Sequence, residues 1–326
     1  MRSLFLSPLR RLRDRLFRPV VTRLDALQAQ QKSLQRGVDA IREDARQARF
    51  AVASIQALRA REAGSLREAE FKGYSQFGED GIIQWLIARV PIASRNFIEF
   101  GVEDYRESNT RFLLEHDGWS GLIIDAGTAH IRFVQGMGLA WRGEIEAKSA
   151  FVTAENIDDL LSGQPVDTGL LSVDVDGMDY WILSAISTIR PRIVICEYNS
   201  LFGPVAPVSV PYLATFDRTR AHHSTLYFGA SISAIAHWAG QHGYRLVGST
   251  AQGVNAFMVR DDVAGDLPNL SGPEAWVETP VRQARDESGT LTYLSGFGPQ
   301  RQLIADLPLV DVVRGSMLSV SDLDRI

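Results

Sequence analysis

From Leu24 onward the apolar positions recur in heptads. One seam position gives Leu24, Gln31, Val38, Ala45 and Val52, and the other gives Leu27, Leu34, Ile41, Ala48 and Ile55. Nine of these ten are apolar, with no proline among them, which predicts a coiled coil over residues 24–63 that self-associates through residues 24–56. The alternative is a solitary long helix packed on the body. Gln31 in the seam fixes register at a cost in stability, and Gly37 weakens the helix by about 1 kcal/mol. Ahead of the heptads, residues 1–23 interleave seven arginines with Leu4, Phe5, Leu6, Leu9, Leu12, Leu16, Phe17, Val20 and Val21. The step from Leu9 to Leu12 to Leu16 is helical, with Pro8 and Pro19 as expected interruptions. Such a basic amphipathic leader suits peripheral contact with an anionic membrane, or is simply a solvated, poorly ordered arm. Gly64 and Ser65 form the expected hinge.

Beyond it the periodicity alternates between helix and strand. GEDGIIQWLIARV reads as helix, NFIEFG as strand, SNTRFLLEHDG as helix and SGLIIDA as strand. After a stretch without clear periodicity come a short helix AENIDDLLS, the strand LLSVDV, the helix DYWILSAIS and the strand RIVICEY. The helix SISAIAHWAGQHG then leads to the strands YRLVGS and NAFMVR. Strand and helix in alternation predict an α/β fold with a mostly parallel, doubly wound, Rossmann-like sheet. The last two strands are too close for a crossover and must form an antiparallel hairpin. The domain of residues 71–262 is followed by a partly helical C-terminal extension, 263–326.

Charge divides the chain in the same place. The net charge is −5, but residues 1–70 hold 15 Lys+Arg against 8 Asp+Glu, and the remainder 19 against 31. An acidic body argues against a nucleic-acid partner. The single cysteine, Cys196, excludes an internal disulfide and lies in an apolar run, as a buried structural thiol does. No run approaches eighteen apolar residues, so a cytoplasmic protein, peripheral to the membrane at most, is expected.

Acidic groups close three of the strands: Glu99, next to Gly101 in FIEFGVED, Asp125 in GLIIDA, and Asp174 in LLSVDVDG. Neighbouring strand ends of a doubly wound sheet share one crevice, where ligands bind. There an acidic residue after the second strand can accept hydrogen bonds from a ribose diol, and a glycine lets the backbone approach a cofactor.

Taken in order, YSQFGEDGII, FIEFGVEDYRESNTRFLL, GWSGLIIDA, LLSVDVDGMDYWIL, RIVICEYN, YFGASISAIAHWAGQHGYRLVG and GVNAFMV resemble the FkbM-type group of class I S-adenosylmethionine-dependent methyltransferases. The likeness runs from about Tyr74 to Arg260. It implies a seven-stranded methyltransferase sheet with antiparallel last strands, S-adenosylmethionine as cofactor, and methyl transfer to a hydroxyl of a sugar, glycan or surface polymer. It assigns Glu99 and Gly101 to the first cofactor-binding turn, with Asp104 and Asn109 in the same loop. Asp125 is assigned to the ribose hydroxyls, and Asp174 to the methionine end of the cofactor or the acceptor. The turn EFGVEDYRES carries one glycine where the family pattern alternates several.

Methyl transfer to a hydroxyl needs alignment and removal of a proton, by a base or by metal coordination. Asp174 and Asp176 lie two apart, on one side of the strand if it continues that far, as do Glu197 and Asn199 after the next strand. Asp174, Asp176 and Glu197 are therefore candidate bases and candidate oxygen ligands for Mg²⁺ or Ca²⁺. Asp179, ahead of YWILSAI, is expected to be a helix N-cap. His223 is a further candidate base, and Tyr227 and Ser231 are candidate acceptor contacts. His116, His130, His237 and His242 are expected to be surface or packing residues. Two other readings are a catalytically degenerate scaffold that oligomerises through the coiled coil, and a phosphatase, since DVDG resembles the DxD motif of the haloacid dehalogenase-like group.

Overall fold

The computed structural model describes residues 6–139 and 143–325, and the chain divides into two compact units, residues 1–52 and 53–326. Leu4 and Phe5 of the leader, and the side chains of Leu6, Leu9, Leu12 and Leu16, lie outside the described residues.

The first unit is helical. α1 (Leu6–Glu62) runs without interruption through Pro8 and Pro19, which corrects the expected breaks. Pro19 costs about 3 kcal/mol as an interior proline, which the long helix on either side absorbs. The apolar seam positions Leu24, Leu27, Leu34, Val38 and Ile41 are each between 42% and 70% exposed. Among the described residues, no helix is long and apolar enough to cross a membrane.

The last turns of α1 belong to the second unit, where Ala53, Ala57 and Ala60 bury a stripe of small residues. Arg61 then fastens the helix end, donating to Gln84 Oε1 and to Asp117 at 2.7 Å. At the expected hinge, Ser65 caps α2 (Leu66–Ala69) by accepting from the Glu68 N–H.

There follow α3 (Glu79–Ile87), β1 (Asn96–Phe100), α4 (Arg111–Asp117), β2 (Ser120–Asp125), α5 (Thr128–Gly136), β3 (Ile145–Ser149), α6 (Ile157–Leu160) and β4 (Leu170–Val173). Next come α7 (Asp179–Ala185), β5 (Ile193–Glu197), β6 (Val208–Ser209), α8 (Arg218–Ala221), α9 (Ile232–His242), β7 (Tyr244–Ser249) and β8 (Asn255–Arg260). The sheet has seven strands in the order β3-β2-β1-β4-β5-β8-β7. β1 to β5 are mutually parallel where they pair, and β8 is antiparallel to both its neighbours. The fold is therefore the α/β class with the closing hairpin that chain spacing required. Phe97, Ile123, Ile193 and Ile195 on one face, and Ile98, Phe100, Ile124 and Val194 on the other, are all 0% exposed. Burial on both faces explains why these strands read as unbroken apolar runs.

β3 and α5 fall in the stretch that carried no clear periodicity. β3 is an edge strand whose Ile145 and Ala147 are only half-buried, so its apolar signal is weak. The C-terminal extension contains α10 (Gly272–Ala275), α11 (Phe297–Gln302), β9 (Pro308–Asp311) and β10 (Met317–Ser319). β9 pairs with β6 and β10 in a small second sheet, so the extension is stitched to the body by strand pairing as well as by helix packing.

The segment between α2 and α3 is fixed by its own acidic pair. Buried Asp80 accepts at Oδ2 from the N–H groups of Gly73, Tyr74 and Ser75 and from the Ser75 hydroxyl, at 2.7–2.8 Å. Glu79 accepts from the N–H groups of Phe77 and Gly78, both at 2.9 Å. Burial pushes the Asp80 carboxyl up to about 6, against the pull of these donors. Asp80→Ala strands buried donors and should cost about 3 kcal/mol in chemical denaturation. Asp80→Asn keeps an acceptor oxygen and should cost less.

Candidate active site

In this strand order the direction of winding reverses between β1 and β4, and the crevice opens there at the carboxyl ends of the strands. Its first wall is the turn after β1. Gly101, Glu103 and Tyr105 all take positive φ, at 73°, 46° and 59°. The alternation that several glycines would give is thus kept by one glycine and two ordinary residues. Each non-glycine costs roughly 1–2 kcal/mol in this conformation. Three contacts offset it. Asp125 Oδ2 accepts the Glu103 N–H at 2.8 Å, the Tyr105 ring is buried, and the Tyr105 carbonyl accepts from Arg111 at 2.9 Å. At Gly101 itself a Cβ would lie 1.6 Å from the Asp174 carbonyl oxygen, so the turn crosses directly over the end of β4.

Glu99 organises the rest of this loop. Its buried carboxylate accepts from the hydroxyls of Ser108 and Thr110 and from the N–H groups of Asn109 and Thr110. Burial raises its pKa while the donors oppose the rise. Thr110 spends its proton on Glu99, so Tyr105 must donate to Thr110 across their 3.0 Å contact. Asn109 links the loop to β4 by donating to Ser172 at 3.1 Å. Asp125 stands behind the turn, its Oδ1 also accepting from the Gly127 N–H and meeting His130 Nδ1 at 3.3 Å. His130 thus has a partner that sequence gave no sign of.

The floor is acidic. β4 ends at Val173, so the pleat does not align Asp174 with Asp176 as expected. A turn does it instead, with Asp176 at φ 56° and Gly177 at 135°, where a Cβ would strike Phe216. Asp179 is not an N-cap but the first residue of α7, and it clamps the turn behind it by accepting from the N–H groups of Val175 and Gly177. Burial pushes Asp179 up to about 6. Half-buried Asp174 is raised well above the carboxylate range, first by burial and then by Asp179 and Asp176. Glu197, at the end of β5, is raised well above it by burial and then by Asp174 and Asp179. Arg218 opposes both shifts.

Arg218 reaches Asp176 at 3.2 Å, donates to the Thr225 carbonyl at 2.7 Å and lies 3.6 Å over the Phe228 ring. Nothing in the sequence singled it out. Asn199 spends its amide on the carbonyls of Leu226 and Phe228 and on the Leu201 N–H, so it ties that segment to β5 rather than offering a ligand. The far wall comes from the C-terminal extension, with Thr279, Val281, Gln283 and Gln300.

Asp174, Asp176, Glu197, Glu99, Gly101 and Asn109 therefore line one cleft. Five other candidates do not, the first being Asp125, which stands behind the turn and holds it. His223 is exposed and rests against His222 at 4.1 Å between ring centroids, too far into solvent to serve as the base. Asp104 pairs with Arg106 outside the cleft. Tyr227 donates to the Pro308 carbonyl, and Ser231 caps α9 while donating to Ala206. Both are packing residues. DVDG follows β4 in mid-sheet, not a first strand.

No model of a known protein family matches the chain, and neither does any curated protein. Among solved structures it is similar to a putative O-methyltransferase from Klebsiella pneumoniae, at 13% identity over 65% of this chain and 90% of that one, TM-score 0.36. It is similar also to an O-methyltransferase from Bacillus cereus in complex with S-adenosylhomocysteine (SAH), at 12% identity over 64% and 89%, TM-score 0.34. A third is M. capricolum TrmK, in complex with SAH, at 8% identity, TM-score 0.31; the match covers 52% of this chain and 62% of TrmK. Likeness at this level says nothing of what this chain binds or does.

The crossing of Gly101 over β4 has a direct consequence. Gly101→Ala must displace the Asp174 carbonyl and should lower the thermal midpoint by several degrees or prevent folding. Glu103→Gly, in the exposed part of the same turn, should leave it within about 1 kcal/mol of the parent.

Proposed function

We propose that this chain is an S-adenosylmethionine-dependent O-methyltransferase acting on a sugar hydroxyl. The observation that carries the reading is the alternating left-handed turn at Gly101, Glu103 and Tyr105, locked by Asp125 at the switch point of the sheet and facing an acidic floor. The residues present fit such a cofactor. Gly101 leaves the backbone bare where a Cβ has no room. Asp125 has two oxygens and about four lone-pair sites; the N–H groups of Glu103 and Gly127 take two and His130 Nδ1 stands at a third, which leaves one for a ribose hydroxyl.

When bound, the cofactor supplies a sulfonium-activated methyl group: the O–CH₃ bond forms as the S–CH₃ bond breaks, and the electron pair returns to sulfur. The chain's own part is alignment, exclusion of water and disposal of the hydroxyl proton. Asp174 and Glu197 present carboxylate oxygens to the acceptor for that purpose. Gln76, Asn109, Gln283 and Gln300 put neutral amides around the same cleft, a lining suited to the paired donors and acceptors of a polyhydroxyl substrate. The FkbM-type resemblance points to the same acceptor class.

Residues 24–56 suit a second copy of the chain as partner. A strict heptad whose apolar positions are exposed along α1 matches a helix of the same period better than any flat surface.

Two measurements bear on this proposal. Titration calorimetry should show binding of S-adenosylmethionine and S-adenosylhomocysteine, weakened about tenfold or more by Asp125→Ala. Binding of neither ligand rejects the reading, and binding without methyl transfer to any sugar favours the degenerate scaffold. Sedimentation equilibrium of the full chain should return an oligomer that Leu34→Lys with Ile41→Lys converts to monomer. A parent that is already monomeric removes the self-association.

A further inference from the structure

We infer that Gln283 and Gln300 of the C-terminal extension select and orient the acceptor, and that they select a neutral, hydroxyl-rich sugar over an acidic one. The inference rests on the sugar-transfer reading above and narrows the class of sugar. Both residues line the cleft, and both lie beyond Arg260, where the likeness to the methyltransferase group ends. This wall is the chain's own addition to the fold.

Gln300 is built into place. It lies in α11 at 1% exposure, and its Nε2 donates to the Val281 carbonyl at 3.2 Å. That bond fixes which way the amide faces. Its Oε1 accepts nothing from the described residues. It is not sealed in, as Glu197 Oε2 and Asn255 Oδ1 are, so the little of Gln300 that stays open lies at the cleft it lines. An oriented carbonyl oxygen there asks for a donor from whatever enters. Half-buried Gln283 makes no side-chain hydrogen bond with the described residues, so its amide offers two donors and an acceptor.

The wall is held to the same strand end as the floor, because Tyr198 and Ser200 follow directly on Glu197. The Val277 N–H donates to the Tyr198 hydroxyl at 3.3 Å, and the Thr279 N–H to the Ser200 hydroxyl at 3.2 Å. Trp276 Nε1 donates to the Ser200 carbonyl at 3.1 Å, and its ring meets Phe297 of α11 edge-on at 5.8 Å between centroids. Gln300 is thereby fixed relative to Glu197, and a sugar bound to one presents its neighbouring hydroxyl at a set place before the other. Charge then decides the class. Asp174, Asp176 and Glu197 line the cleft, and Arg218 already donates to Asp176 and to the Thr225 carbonyl. Two glutamines stand where a site for a carboxylate or phosphate would place Arg or Lys. An acidic sugar meets like charge here, whereas a neutral one meets partners for its hydroxyls.

The test titrates the full-length chain, with and without saturating S-adenosylhomocysteine, by ligand-observed nuclear magnetic resonance. The probes are the methyl glycosides of glucose, galactose and mannose and the methyl glycosides of the corresponding uronic acids. At least one neutral glycoside should bind about tenfold or more tightly than its uronate. Gln300→Met and Gln283→Leu should each weaken that glycoside roughly fivefold, the loss of one neutral hydrogen bond. Gln302→Leu, exposed and outside the cleft, should not. Gln283→Arg should raise affinity for the uronate and narrow the preference, a change that a purely structural role does not produce. Gln283 has no protein bond to lose, so its variants keep the test intact if Gln300→Met fails to fold. Binding of no glycoside, equal binding of neutral and acidic partners, or a preference unmoved by Gln283→Leu and Gln283→Arg overturns the inference. Calorimetry with S-adenosylhomocysteine on the same chain reports separately on the transfer reading, so either can fail alone.

Discussion

The site is governed by the burial of carboxylates that also repel one another and that the fold does not let apart. Asp174 and Glu197 close two adjacent strands, and their separation is set by the β4–β5 pairing, not by their charges. Asp179 is locked into the same turn by two N–H groups. Burial raises the pKa of Asp174 and Glu197 first and repulsion adds to it, while Arg218, the one Lys or Arg among the described residues that lines the cleft, opposes both. Packing energy elsewhere in the sheet sustains that tension, in the manner of functional sites generally. The positive sulfur of the proposed cofactor would relieve it.

Around this floor the fold uses strain of a second kind. A turn that could be built cheaply from glycines is built instead from Gly101, Glu103 and Tyr105, and is then pinned by Asp125, Arg111 and the Glu99–Thr110 network. The arrangement makes the first wall of the crevice depend on the ends of both β1 and β2. It gives Asp125 a structural part in that wall. Glu79 and Asp80 do comparable work on the approaching segment, where Gln76 and Phe77 reach the cleft.

Most of the framework was legible in sequence because strands buried on both faces announce themselves as apolar runs, and the short link between β7 and β8 admits only a hairpin. β3 was hidden because an edge strand buries little. The site was legible only in part. Strand ends brought Asp174, Glu197 and Glu99 to the crevice, since their places follow from the strands, and left Asp125 behind the first turn. Asp176 reached it by a turn no pleat argument could foresee. The same limit hid Arg218, His130, Asn255 and the glutamines of the C-terminal extension, whose positions depend on loops and on tertiary packing. It also made His223 attractive, because nearness in sequence to an active-site segment does not fix the direction of a side chain. The first turn has a single glycine, yet Glu103 and Tyr105 also take positive φ there.

The most direct test of this account is a crystal structure of the full chain with S-adenosylhomocysteine. The account predicts the nucleoside along the Gly101–Tyr105 turn with its ribose toward Asp125. A nucleoside bound elsewhere, or a crevice that stays empty at saturating ligand, would contradict it.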